Sequence, residues 1–255
     1  MDASFCGVGN SSLAPHRDAG SAPSIINRLL LILTSKRRPG TWRPLVTKRH
    51  KWIVALAWLT LIAAAACVDR PVSSWVGATG LNITLKSHWS WLLWSVRRFG
   101  DFRSYTLVAG IVILVAGRKK LAAALGNALF VLLGGALSGL NAPVKWIVGR
   151  HRPFHGFGAF QFMPCAGPLK GLIGMESGLS FPSGDVCLAA ATSTCLAILF
   201  PRWRWFWVCV VLLVALERVA EGAHYPSDVA AGALLGWLLG LLANRWTEKW
   251  RGKRI

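Results

Sequence analysis

Acidic residues are scarce in this 255-residue chain: 10 Asp and Glu stand against 29 Lys and Arg, and charged residues together make up only 15%. With 54% hydrophobic residues and a mean hydropathy of +0.46, this composition excludes an ordinary water-soluble domain and a disordered chain. The six cysteines, at positions 6, 67, 165, 187, 195 and 209, include no C-x-x-C pair and no Cys/His spacing of a zinc site. Four of them fall in or beside apolar runs, where a thiol reads as a small core hydrophobe. Residues 1–24 are mixed and polar, and the apolar stretch at 29–33 is too short for the h-region of a signal peptide. It fits an interfacial segment leading into a membrane domain. No internal repeat and no low-complexity tract is present.

What the chain has instead is apolar runs. A membrane-crossing helix needs roughly 20 mostly apolar residues, fewer where its ends are polar or tucked into a bundle. Six runs meet that allowance, at 52–68, 104–117, 121–144, 186–200, 205–216 and 229–244. The fold class expected is all-α: a polytopic membrane helix bundle of about six spans over residues 48–245. A polar, basic segment (1–47) precedes it and a basic tail (246–255) follows.

The net charge of +19 would ordinarily point to nucleic acid. Here the basic residues sit in short clusters between apolar runs, which excludes that partner and favours membrane lipids and anionic phosphate groups. The N-terminal cluster, Arg118–Lys120, Arg202 with Arg204 and the C-terminal tail then alternate onto one side, the cytoplasmic one. Residues 69–103, 145–185 and 217–228 face the other. Many of the 14 tryptophans mark run edges, as rings at a lipid–water boundary do. Gly134, Gly135, Ser138 and Gly139 place small residues where helices can approach closely.

Three short motifs fall on the outward-facing segments: KWIVGRHRP, with Lys145 and Arg152; PSGD, with Ser183, Gly184 and Asp185; and RVAEGAHYPSD, with Arg218, His224 and Asp228. Each borders an expected span, so all three lie at one membrane depth. Together they supply what phosphoryl transfer requires: fixed cations, backbone amides at a helix start, a nucleophile and a group to orient it. Lys145, Arg152 and Arg218 provide the charge. Ser183 reads as a helix N-cap with Gly184 and Asp185 opening the helix. His224 is a candidate nucleophile, and Asp228 is close enough in sequence to hold its second ring nitrogen. No cofactor is expected. A divalent-ion site built from Asp185, Glu217, Glu221 and Asp228 is the competing possibility.

These segments resemble the three signature motifs of the phosphatidic acid phosphatase type 2 superfamily, K-x6-R-P, P-S-G-H and S-R-x5-H-x3-D, over residues 145–228. The six-span layout extends the resemblance to about 50–244. It implies an integral-membrane lipid phosphatase with phosphate ligands at Lys145, Arg152 and Arg218 and support from Ser183 and Gly184. A phosphohistidine at His224, charge-relay support from Asp228 and a site on the extracytoplasmic side of a multi-pass cell-membrane protein are also implied. No metal is. Two positions depart from the pattern: Glu217 stands where the family has Ser, and Asp185 where it has the His that protonates the leaving group. The substrates expected are an anionic phospholipid or a polyprenyl diphosphate such as undecaprenyl diphosphate. A catalytically weak or inactive member that binds anionic lipid, and a lipid phosphotransferase, are the alternatives.

Overall fold

The apolar runs form helices, as their backbone groups must when no water is present to satisfy them. The computed structural model describes residues 50–116, 118, 120–156, 161–162 and 178–252. The expected N-terminal segment, most of the 154–181 loop and the end of the tail lie outside these.

Nine helices longer than one 3-10 turn occur among the described residues: α1 (His50–Thr79), α2 (Leu81–His88), α3 (Ser90–Arg97), α4 (Phe102–Val115), α5 (Leu121–Leu137), α6 (Asn141–Val148), α7 (Gly184–Leu199), α8 (Arg204–Ala220) and α9 (Pro226–Gly252). No strand forms among the described residues, only the isolated bridges Arg150 to Phe162 and His151 to Leu179. The fold is an all-α membrane helix bundle. Ile53–Thr79, Leu121–Val148 and Pro226–Glu248 are long and apolar enough to cross a membrane, and α4 and α7 are shorter apolar helices.

Buried from Val186 to Ser193 and again at Cys195, α7 forms the axis of the bundle. It is wrapped by α9, α8 and α5, with α1 outside α9 and α4 outside α5. Such enclosure needs close helix approach, and α9 provides it through Gly232, Gly236 and Gly240. A Cβ on Gly236 would stand 2.2 Å from the Cys187 carbonyl oxygen, and one on Gly232 2.6 Å from that of Ser183. On the other side, a Cβ on Gly134 of α5 would meet Cys195 Sγ at 2.5 Å, while Gly139 faces open space. Leu59, Leu107, Leu114 and Leu216 point outward from the bundle, the arrangement of a protein whose solvent is lipid.

The helix limits differ from the sequence expectation at informative places. The first helix runs through Asp69, Arg70 and Pro71 rather than stopping at residue 68. Asp69 is buried and fully partnered, so its charge does not force the chain out into water. The run expected over 121–144 is interrupted by a 3-10 turn at Ser138–Leu140, then continues as α6 to Val148. Residues 81–97, expected only as a connection, form the short helices α2 and α3, which pack against α8.

Candidate active site

The K-x6-R-P spacing brings its two cations together through a turn. α6 ends at Gly149, whose φ of 62° is the left-handed conformation that lets its amide bond back to the Lys145 carbonyl at 2.8 Å. The chain then extends through Arg150 to Arg152, and the segment 178–180 is stapled alongside. Ser180 N bonds to Arg150 O at 2.7 Å, Arg152 N to Gly178 O at 3.1 Å, and Arg152 Nε to Leu179 O at 3.2 Å.

The Arg-x5-His spacing has an equally local cause. α8 closes in a Schellman turn. Gly222 (φ 73°) donates to Val219 O at 2.9 Å and Ala223 to Arg218 O at 3.1 Å, and His224 N also reaches Arg218 O, at 3.2 Å. Five intervening residues therefore reverse the chain and set His224 beside the arginine, two residues before Pro226 opens α9. The Ser183 amide bonds to Asp228 O at 3.0 Å and the Phe154 amide to Gly222 O at 3.2 Å, so all three motifs are tied at one end of the bundle.

His224 is 2% exposed. Its Nδ1 lies 2.8 Å from the Ser180 carbonyl oxygen, an acceptor only, so Nδ1 carries the proton and Nε2 is the nitrogen left for chemistry. The carboxylate expected in that role, Asp228 Oδ2, is 3.8 Å away. Asp228 is occupied elsewhere: it accepts from Tyr225 N at 2.8 Å and from Arg150 Nη1 at 2.8 Å. Burial above all, with the positive charges of Arg152 and Lys145, holds His224 below its ordinary value of 6.5, while Asp228 works in the opposite direction.

Sequence reasoning does not single out Arg150 or Asp69, yet both are built into this end of the bundle. Arg150 Nη2 meets Asp69 Oδ2 at 2.9 Å, Arg150 Nη1 meets Ser227 Oγ at 2.8 Å, and its guanidinium carbon lies 3.8 Å from the centre of the Tyr225 ring. Asp69 also accepts from Ser227 N at 2.9 Å and from Ser227 Oγ. This buried network fastens α1 to the start of α9 and fixes Asp228 in it. Arg150 lies inside the first motif as quoted and so carries a signal. Asp69 carries none beyond being an acid beside an apolar run.

Arg218 is gripped by three carboxylates. Glu217 takes Nε and Nη2, Glu221 takes Nη2, and Asp185 Oδ2 takes Nη1 at 3.1 Å. Glu221 in turn pairs with Arg97 and, at 3.6 Å, with Lys86. Burial acts to raise the Glu221 carboxyl, but Arg218, Arg97 and Lys86 outweigh it and hold it below the usual value. The four acids considered for a metal are therefore divided, three around an arginine and Asp228 on Arg150. Among the described residues no group of three His, Cys, Asp or Glu side chains is placed to hold an ion.

A cavity of about 210 Å³ opens over this centre, lined by Lys86, Arg97, Arg152, Phe154, Arg218, Glu221 and Ala223. Ser183 takes the extended N-cap conformation ahead of α7, but its hydroxyl does not cap the helix. Buried, Ser183 Oγ makes no hydrogen bond among the described residues. Gly184 at the helix start stands against Asn141, where a Cβ would come within 3.3 Å of Oδ1 of that side chain. A helix N-terminus, a hydroxyl with bonding capacity to spare, several cations and a neutral imidazole suit an anion that the imidazole can attack.

The sequence pattern of the PAP2 superfamily matches residues 120–252. A lipid A 1-phosphatase of Rhizobium etli is 33% identical over 198 residues, covering 74% of this chain and 78% of that protein. An undecaprenyl-diphosphatase of Sulfolobus acidocaldarius is 29% identical over 39% of this chain and 44% of its own length. Among solved structures, a transmembrane PAP2-type phosphatidylglycerolphosphate phosphatase of Bacillus subtilis superposes with a TM-score of 0.50 at 25% identity, covering 78% of this chain and 97% of that one. The motifs, the helices that carry them and these relatives agree: the chain belongs to the PAP2 superfamily and is a membrane-located phosphoric ester hydrolase.

Proposed function

We propose that the protein removes phosphate from a lipid phosphate or diphosphate on the extracytoplasmic face of the membrane, through a phosphohistidine at His224. The observation that carries this reading is the buried imidazole of His224. Its Nδ1 is held by the Ser180 carbonyl beside a cavity lined by Arg152 and Arg218. Nε2 forms a bond to phosphorus as the bond from phosphorus to the lipid-side oxygen breaks, and water then attacks the phosphohistidine to release inorganic phosphate. Lys145, Arg152 and Arg218 neutralise the phosphate oxygens, and the Ser183 hydroxyl with the amides at Gly184 and Asp185 binds one of them. Asp228 acts through Arg150 and the Tyr225 amide to hold the turn that carries His224. The basic clusters support a six-span topology with both ends cytoplasmic.

Asp185 bears on the substrate. Its Oδ2 accepts from Arg218 Nη1 at 3.1 Å, so an acceptor already in use stands where the family has a proton-donating histidine. A simple alkoxide, whose conjugate acid is about as weak as water, needs a proton to leave, whereas a phosphate monoester with a second pKa of about 6 leaves with little help. This favours a polyprenyl diphosphate such as undecaprenyl diphosphate over phosphatidic acid, and the Sulfolobus relative supports it. A second reading, the 1-phosphate of lipid A, is supported by the Rhizobium relative and its longer coverage.

Phosphate release by purified protein from undecaprenyl diphosphate, lipid A and phosphatidic acid tests the proposal. Release from the diphosphate, abolished in His224→Ala, is expected. Binding without release would make the chain an anionic-lipid binder, and delivery of the phosphoryl group to a second lipid rather than to water would make it a phosphotransferase. A preference for phosphatidic acid, unchanged in Asp185→His, would overturn the leaving-group reasoning.

A further inference from the structure

Among the described residues, one of the cations that the motifs supply, Arg218, is surrounded by acids. It is gripped by Asp185, Glu217 and Glu221 together, so its single charge is more than answered by acids at contact distance. An incoming phosphate therefore meets, in Arg218, a cation whose field those acids already oppose. Two further cations change this, and neither belongs to a motif. Lys86 comes from α2 and Arg97 from the last turn of α3, and both line the cavity with Arg152 and Arg218.

Their position differs from that of the motif cations. The side chains of Lys86 and Arg97 are 57% and 46% exposed, against 4% for Arg218, so they stand at the cavity's rim and Arg218 at its base. Both are engaged by Glu221, which Arg218 also holds. Glu221 thus bridges the rim to the base with a carboxylate, in the place where an anion spanning the two would lie. Elsewhere on the hairpin, Ile83, Trp91 and Trp94 are each more than half exposed, as apolar side chains seated against lipid would be.

We infer that Lys86 and Arg97 bind the second phosphate of a lipid diphosphate, the one that departs with the lipid, while the motif cations hold the phosphate that His224 attacks. The inference rests on the phosphatase reading and names the residues that select its substrate. Charge builds on the leaving phosphate as the bridging bond breaks, and two cations there stabilise it without any proton transfer. Asp185, in place of a proton-donating histidine, is then no handicap. Glu221 keeps the two cations positioned and yields them when the diphosphate arrives.

The test compares the full chain with Lys86→Ala/Arg97→Ala and with Arg97→Lys. Phosphate release is measured from farnesyl diphosphate and from phosphatidic acid, and binding of a non-hydrolysable farnesyl methylenediphosphonate is measured in the His224→Ala background. Loss of two preorganised cations should lower kcat/KM on the diphosphate by about 100-fold or more. On the monophosphate, where only the screened field of two exposed charges is removed, the fall should stay within about fivefold. Retained monophosphate turnover shows that the double variant folds, and Arg97→Lys should recover part of the diphosphate rate. Equal losses on both substrates, or none on either, would overturn the inference. Should the unaltered chain release no phosphate from any lipid, the phosphatase reading fails. Weaker methylenediphosphonate binding in the double variant would still support the subsite, and unchanged binding would overturn it.

Discussion

His224 owes its neutral state to where it is buried, and that has a measurable sign. Its native pKa lies below 6.5, so at pH 7 the ring is unprotonated, as the proposed nucleophile must be. The acidic limb of the kcat/KM profile should fall below pH 6.5, and a limb at or above that value would contradict the buried imidazole. The same depression makes a stability statement. The unfolded chain takes up a proton near 6.5 and the native one only at lower pH, so the contribution is complete above 6.5 and is lost as pH falls through the native value. Asp69 supplies a second residue-scale outcome. Replacing it by Ala leaves Arg150 with one fewer buried carboxylate and Ser227 without its amide partner. A loss of about 3–5 kcal/mol is expected, together with a lowered but measurable rate. Thermal unfolding in detergent gives the first quantity and phosphate release the second, and a variant of full stability would show the network to be dispensable. Of this centre, the motif residues were legible because chemistry and spacing coincide in short stretches. The Nδ1 partner was not, because a backbone carbonyl leaves no letter to read.

At the scale of elements, α9 lies against α7 with the tightest glycine contacts among the described residues. Gly236→Ala would drive a methyl group into the Cys187 carbonyl and the Ala190 side chain, forcing apart two helices whose first turns carry Asp228 and Asp185. It should cost about 1–3 kcal/mol and lower activity. Gly126→Ala, in a part of α5 with open space around it, should be neutral or stabilise by up to about 1 kcal/mol. Paired melting curves distinguish the two, and equal effects would refute the close approach. The Gly-x3-Gly-x3-Gly stripe at 232–240 stood in the sequence as plainly as the cluster at 134–139, but period alone cannot say which small residues meet a neighbour. Gly139 meets none. The α2–α3 hairpin was hidden for another reason: two eight-residue helices lack the length that makes a periodic pattern readable.

Over the whole molecule, the basic clusters lie at the helix ends remote in sequence from the motifs, and this predicts sidedness. Single cysteines placed at 154–181 should react with an impermeant thiol reagent from outside the cell, and ones placed near Lys120 only after the cell is opened. The opposite pattern would reverse the compartment of the reaction. The layout of long apolar runs and motif-bearing connections was legible because lipid imposes it on every residue at once. The fastening of the first helix to the last was not, since it rests on single side chains far apart in the chain. That fastening has a consequence for how small the enzyme can be made. Residues 120–252 carry the family's pattern and every motif, yet Arg150 and Ser227 within them depend on an acid at position 69. A fragment trimmed to the recognisable stretch would hold a buried arginine short of a partner and a helix start short of an anchor. Such a fragment should therefore be less stable than one that begins upstream of Asp69, and heredity of the pattern and independence of the fold have different borders.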